Sequence, residues 1–190
     1  MTLFHIEPDH RLDLTRQAMR HTAEAWEHAM SAALGHDLHE ARHVMRGAQA
    51  RRTMLHTAHQ HLQWADSARR PAMSRRADPI DVVADLVRMN RLLGRLAQSI
   101  IAAPDASGLV ERDRADVDVA RRVGSQRLHH FAESMPRPSV DRDYITAGHD
   151  LLDALADLAG QSPSRGTTPD LCLASMITLV ETSRHVTRAA

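Results

Sequence analysis

The chain has 190 residues, with 24 acidic side chains balanced by 24 basic ones, all of them arginine, so its formal net charge is zero. That length allows one large or two small domains with a sizeable core. The balanced charge excludes a whole-molecule field that would steer it toward nucleic acid or anionic lipid. Apolar residues make up 43% but aromatics only 3%, so the core is expected to be built of Ala, Leu, Val, Ile and Met, which suit close-packed helices better than sheets. Glycine is scarce and no Asn-Gly or Asp-Gly hairpin turn occurs, which points to an all-α fold.

Period-3.6 apolar spacing and its punctuation predict six helices. The first runs from about residue 13 to 34, with Leu14, Ala18, Ala25, Ala29 and Ala33 on one face, and stops at Gly35. Asp37 is placed to cap the second, which continues past Leu38, Ala41, Met45, Ala48, Leu55 and Leu62 to about residue 66. A stretch holding Arg69, Arg70, Pro71, Arg75 and Arg76 breaks the pattern. Asp78 caps a third helix whose first position is Pro79, with Val83, Leu86, Leu93, Leu96 and Ile100 as its stripe. The fourth, at about 109–134, is heavily charged at its start and is closed by Pro136 and Pro138. The fifth begins at Ser139 or Asp141 and passes through Ile145, Leu151, Leu152, Leu155 and Leu158. A loop then leads to the sixth, capped by Thr168 with Pro169 next, which runs to the C-terminus.

The third and sixth helices read as copies. With Pro79 set against Pro169, the residues Val82, Val83, Ala84, Leu86, Val87 and Met89 fall on Cys172, Leu173, Ala174, Met176, Ile177 and Leu179. Each half therefore reads as three helices, and an internal duplication explains the order. The expected architecture is two tandem three-helix bundles of long antiparallel helices, residues 1–104 and 105–190.

In this arrangement the chain resembles the PhoU family, bacterial regulators of phosphate uptake and signalling built as tandem three-helix bundles. The opening of the second helix, from Asp37 through Leu38, His39, Glu40, Ala41, Arg42, His43 and Val44 to Met45, is similar to the family's. Gly94 stands where the family signature Glu-Arg-Ile-Gly-Asp-His has its glycine. The signature's Glu and Asp lie one turn apart and coordinate metal in several members. Here those positions are Arg91 and Arg95 in the first repeat, and Glu181 and His185 in the second. The resemblance implies a regulatory adaptor, not an enzyme, that contacts a transporter ATPase or a sensor histidine kinase. It further implies a cytoplasmic protein recruited to the inner face of the membrane through that partner, with homodimerisation as a family habit.

The residues themselves offer two candidate sites. Glu181 and His185, at i,i+4, are a residual pair for a divalent metal, the only cofactor considered, against the plainer reading of a solvated acid–histidine pair. Arg88, Arg91 and Arg95 share a face that suits an anion or an acidic partner, against the plainer reading of a basic surface paired with acids such as Asp85. The absence of lysine is explained by GC-rich codons more simply than by selection for anion binding. Histidine is concentrated early, ten of fourteen falling in the first 61 residues; His36, His39 and His43 are expected on one face and His56 and His59 on another. They read as polar surface, with a helical metal-binding protein using His/Glu clusters as the alternative function.

No Gly-rich phosphate loop, GxSxG elbow or HExxH pattern occurs. The Arg69-Arg70 and Arg75-Arg76 pairs lack interleaved aromatics and read as a solvated loop rather than a nucleic-acid site. Trp26 and Trp64 are expected as core or interface anchors. Cys172, the single cysteine, lies in an apolar run and is expected as a small core residue. His5, Glu7 and Asp9 interrupt what a signal peptide would keep apolar, and no segment reaches the roughly 20 apolar residues of a membrane span, so no membrane insertion is expected.

Overall fold

A computed structural model describes residues 8–67, 79–104, 109, 111–134 and 168–189. Every element among them is an α-helix: α1 (Pro8–Gly35), α2 (Leu38–Ser67), α3 (Pro79–Ala102), α4 (Glu111–Ser134) and α5 (Thr168–Ala189). The last is the sixth helix of the sequence reading; the fifth, at about 139–158, and the arginine-rich stretch at 69–76 lie outside the described residues. None of the described helices is long and apolar enough to cross a membrane.

The helix boundaries follow from local chemistry. α1 starts at Pro8, earlier than the apolar stripe suggests, because proline's fixed φ suits the first turn and needs no N–H partner there. At its far end the left-handed residue is His36, with φ 50°, and not the preceding Gly35. The N–H of Asp37 reaches back to the carbonyl of Ala32 at 3.0 Å, and the His36 ring donates from Nε2 to the carbonyl of Ala103 at 2.9 Å. That bond ties the α1–α2 corner to the end of α3. Asp37 then caps α2 as expected: its Oδ1 accepts from the N–H groups of His39 at 2.7 Å and Glu40 at 3.3 Å. Glu111 and Asp113 sit in the first turn of α4, where carboxylates favour the helix dipole.

α1 is the hub. It touches all four other helices, while α2 also packs on α3, and α5 on α3 and α4. A helix buried on so many sides needs small residues, and Ala18, Ala23, Ala25, Ala29, Ala32 and Ala33 are all buried. The large side chains that fill the remaining space, Met19, Trp26 and Met30, are fully buried with them. On α3, Val82, Val83, Leu86, Met89, Leu93, Leu96 and Ile100 are all buried. On α2 the stripe is correct at Ala41, Leu55 and Leu62, but Met45 is exposed; the buried register runs instead through Val44, Arg51, Leu55 and Ala58.

The α1–α4 seam is keyed by Trp26. Its indole Nε1–H donates to the carbonyl of Ala120 at 3.1 Å, and a Cβ placed on Gly124 would lie 2.5 Å from the ring. Gly124, one turn after Ala120, is therefore the hole that admits the indole to the helix backbone. Beside it Arg121 of α4 bonds to Glu27 of α1 and to Asp118 at 3.0 Å. Burial alone would lower the Arg121 pKa, but its hydrogen bonds to Asp118 and Glu27 outweigh that and raise it. On α5, Ser175, Thr178 and Thr182 return their hydroxyls to the carbonyls of Leu171, Ala174 and Thr178. Hydroxyls satisfied in this way can be buried without cost in unpaired polar groups.

Two glycines distinguish packing from propensity. Gly124→Ala is expected to lower stability by about 1–3 kcal/mol through overpacking against Trp26. A Cβ at Gly94 meets nothing within 4 Å, so Gly94→Ala is expected to raise stability by about 0.5–1 kcal/mol through helix propensity. Urea midpoints of the two variants check the opposite signs.

Cys172 is fully buried, and burial pushes its thiol up to about 12. Since the thiolate is the nucleophile, native protein is expected to resist iodoacetamide at about pH 8.5, where an ordinary thiol is half ionised, and to react once unfolded. The folded state holds this proton more tightly than the unfolded one. Its contribution to stability is therefore complete below the ordinary thiol range and is lost as pH rises toward about 12. Mass spectrometry of alkylated protein with and without urea reads the first outcome, and alkaline denaturation of a Cys172→Ala variant beside the parent reads the second.

Candidate functional site

The three arginines singled out on α3 are all exposed. They do not act together. Arg88 crosses to α5, where its Nη1 donates to Glu181 Oε2 at 2.7 Å. Arg91 lines a groove against α2. Neither Arg91 nor Arg95 has an ion-pair partner among the described residues.

This arrangement joins one member of each candidate site of the sequence reading. Glu181, half of the residual metal pair, is the counterion of Arg88, a member of the anion site. His185 lies one turn further along α5, with its side chain outside the described residues. The Glu181 carboxylate is thus engaged by a guanidinium in this arrangement. Among the described residues no three His, Cys, Asp or Glu side chains converge to hold a metal ion.

The early histidines divide differently from the expected faces. His36 belongs to the corner before α2 and is bonded to Ala103. His43 packs against His28 of α1, with ring centroids 4.2 Å apart and the planes tilted by 40°, and His28 Nδ1 meets Glu40 Oε2 at 2.5 Å. These contacts form an α1–α2 clasp; His28 carries no sequence signal beyond its place on α1's surface.

His56 and His59 do share a face of α2, and with Arg52 they form one wall of the groove that Arg91 completes. The groove has a volume of about 870 Å³. Its buried support is Arg51, which sequence reasoning missed. Arg51 Nε donates to Asn90 Oδ1 on α3 at 2.9 Å and Nη2 to the Val44 carbonyl at 2.7 Å. Burial lowers the Arg51 pKa, with the charge of Glu24 acting in the opposite direction. A Cβ at Gly47 would collide with the Arg51 guanidinium, so Gly47 gives that group its room. The available signal is the register: Arg51 sits seven residues after Val44 and four before Leu55, on the buried stripe itself.

The Arg88–Glu181 pair is open to water, with side-chain exposures of 57% and 38%, so its worth is set by solvent screening. A double-mutant cycle with Arg88→Ala and Glu181→Ala is expected to give a coupling of about 0.2–1 kcal/mol that shrinks as salt is added. No coupling at low salt would show the two side chains apart in solution. Comparison of the chain with protein-family models and with curated proteins found no match.

Proposed function

We propose that the chain is a PhoU-like regulatory adaptor of phosphate uptake and signalling, made of two tandem three-helix repeats that act by protein contacts rather than by catalysis. The carrying observation is which helices meet. In a duplicated chain α1 and α4 are the equivalent first helices, and α3 and α5 the equivalent third ones. α1 packs on α4 and α3 packs on α5, so elements that would be equivalent meet each other, as elements beside a two-fold axis between copies do. Burial adds support: Val82 and Cys172, Leu86 and Met176, and Met89 and Leu179 are buried in both copies.

In this reading the buried seams build the scaffold and exposed helix faces carry recognition. α2 offers such a face, where Met45, an exposed large apolar residue, stands between Arg42 and Arg46. The partners are the cytoplasmic side of a phosphate transporter ATPase or a sensor histidine kinase, which would recruit this cytoplasmic protein to the inner membrane face. Arginine stands at the family's metal positions in the first repeat, Arg91 and Arg95, and leaves Glu181 and His185 of the second as the residual pair for a cation.

Sedimentation of the purified chain with the soluble ATPase subunit and with the kinase's cytoplasmic part tests this. A complex with at least one of them, weakened at least tenfold by Met45→Glu with helicity retained, is the expected result. Folded protein that binds neither would overturn the reading; saturable binding of divalent metal in that case would favour the helical metal-binding alternative.

A further inference from the structure

We propose that the groove between α2 and α3 binds a small organic molecule through a doubly charged oxyanion group of the phosphoryl type. The charge on its walls carries the inference. Arg52 comes from α2 and Arg91 from α3, both exposed, and no carboxylate lies among the described residues that line the groove. Other interhelical seams differ. Arg88 meets Glu181, and Arg121 meets Glu27. Two guanidiniums facing one space without a counterion suit a dianion, which their forked donors bind well.

The neutral groups around them are donors too. Arg51 has only N–H groups to offer, so the bond from its Nε fixes the Asn90 carbonyl oxygen on the Arg51 side. The Asn90 amide N–H₂ is thereby left as a donor at the groove. Gln60 and Gln63 place their Nε2 atoms at the Nε2 atoms of His56 and His59, at 2.9 and 2.8 Å. A glutamine amide nitrogen only donates, so each imidazole accepts at Nε2 and keeps its ring proton on Nδ1. Gln49 and Thr53 add a side-chain amide and a hydroxyl to the α2 wall, and both groups can donate.

Size and lining narrow the ligand. About 870 Å³ is the range of small-molecule pockets and far exceeds a bare oxyanion. Leu55, Ala84 and Val87 give the groove an apolar part for a carbon skeleton. It holds no Trp, Tyr or Phe among its described lining residues, so the large aromatic platforms on which single-stranded nucleic acid stacks successive bases are not part of that lining.

Calorimetric titration of the full chain with sulfate, inorganic phosphate and glycerol phosphate tests the proposal. One saturable site is expected, with glycerol phosphate bound more tightly than inorganic phosphate because the groove also holds its carbon skeleton. Equal affinities would overturn the organic part of the proposal and identify the free anion as the ligand. Arg52→Gln and Arg91→Gln are each expected to weaken binding at least tenfold without loss of helicity, while Arg20→Gln, exposed on α1 and outside the groove, leaves it unchanged. No saturable binding of any probe, or equal binding by the Arg52 and Arg91 variants and the parent, overturns the proposal. These titrations use the chain alone, so their failure is separate from failure to find a protein partner.

Discussion

The Trp26 indole makes the strictest geometric demand in this protein. It must lie against a helix backbone to reach the Ala120 carbonyl, and only a residue without a side chain at position 124 lets it do so. Removing a buried indole costs on the order of 3–5 kcal/mol, comparable to a large part of a domain's net stability. The demand also fixes the register of α4 on α1, because sliding by one residue would set the ring against a Cβ. α1 carries the other three helices on its remaining faces, so the placement of α4 relative to α2, α3 and α5 follows from one ring and one glycine.

The α2–α3 seam uses the same device with a charged key. Arg51 enters over Gly47 as Trp26 enters over Gly124. Burying a guanidinium is costly unless each donor finds an acceptor, and Asn90 Oδ1 and the Val44 carbonyl supply two. Such a contact contributes little net stability and much specificity, since α2 and α3 satisfy it in one register only. It also explains why the groove above it has defined walls: the residues that line it from α2 and α3 stand on a seam that is locked from beneath.

The helices are legible in the sequence because their punctuation is local. Asp37 caps α2 and Pro79 opens α3 where the residue types demand, and Cys172 and Trp26 are buried as their surroundings imply. What stays hidden depends on partners far along the chain. A glycine within a helix reads as a weakness, and nothing near Gly124 announces an indole from α1, nearly a hundred residues earlier. Gly35 reads as the natural left-handed residue, yet His36 takes that conformation, with its ring bonded to Ala103. Arg51 reads as surface because arginine is seldom buried, although its spacing places it on the buried stripe. The Arg52, His56 and His59 face is readable from α2 alone; the arginine opposite it is not.

The candidate sites on α3 and α5 meet in one ion pair. Glu181 serves Arg88 across the α3–α5 seam, in a contact open to water and weakened by salt. Arg91, freed from that seam, faces α2 and has no carboxylate partner there among the described residues. Arg88 and Arg91 are three residues apart on one helix, so the charge that meets α5 and the charge that faces the groove are carried by the same element.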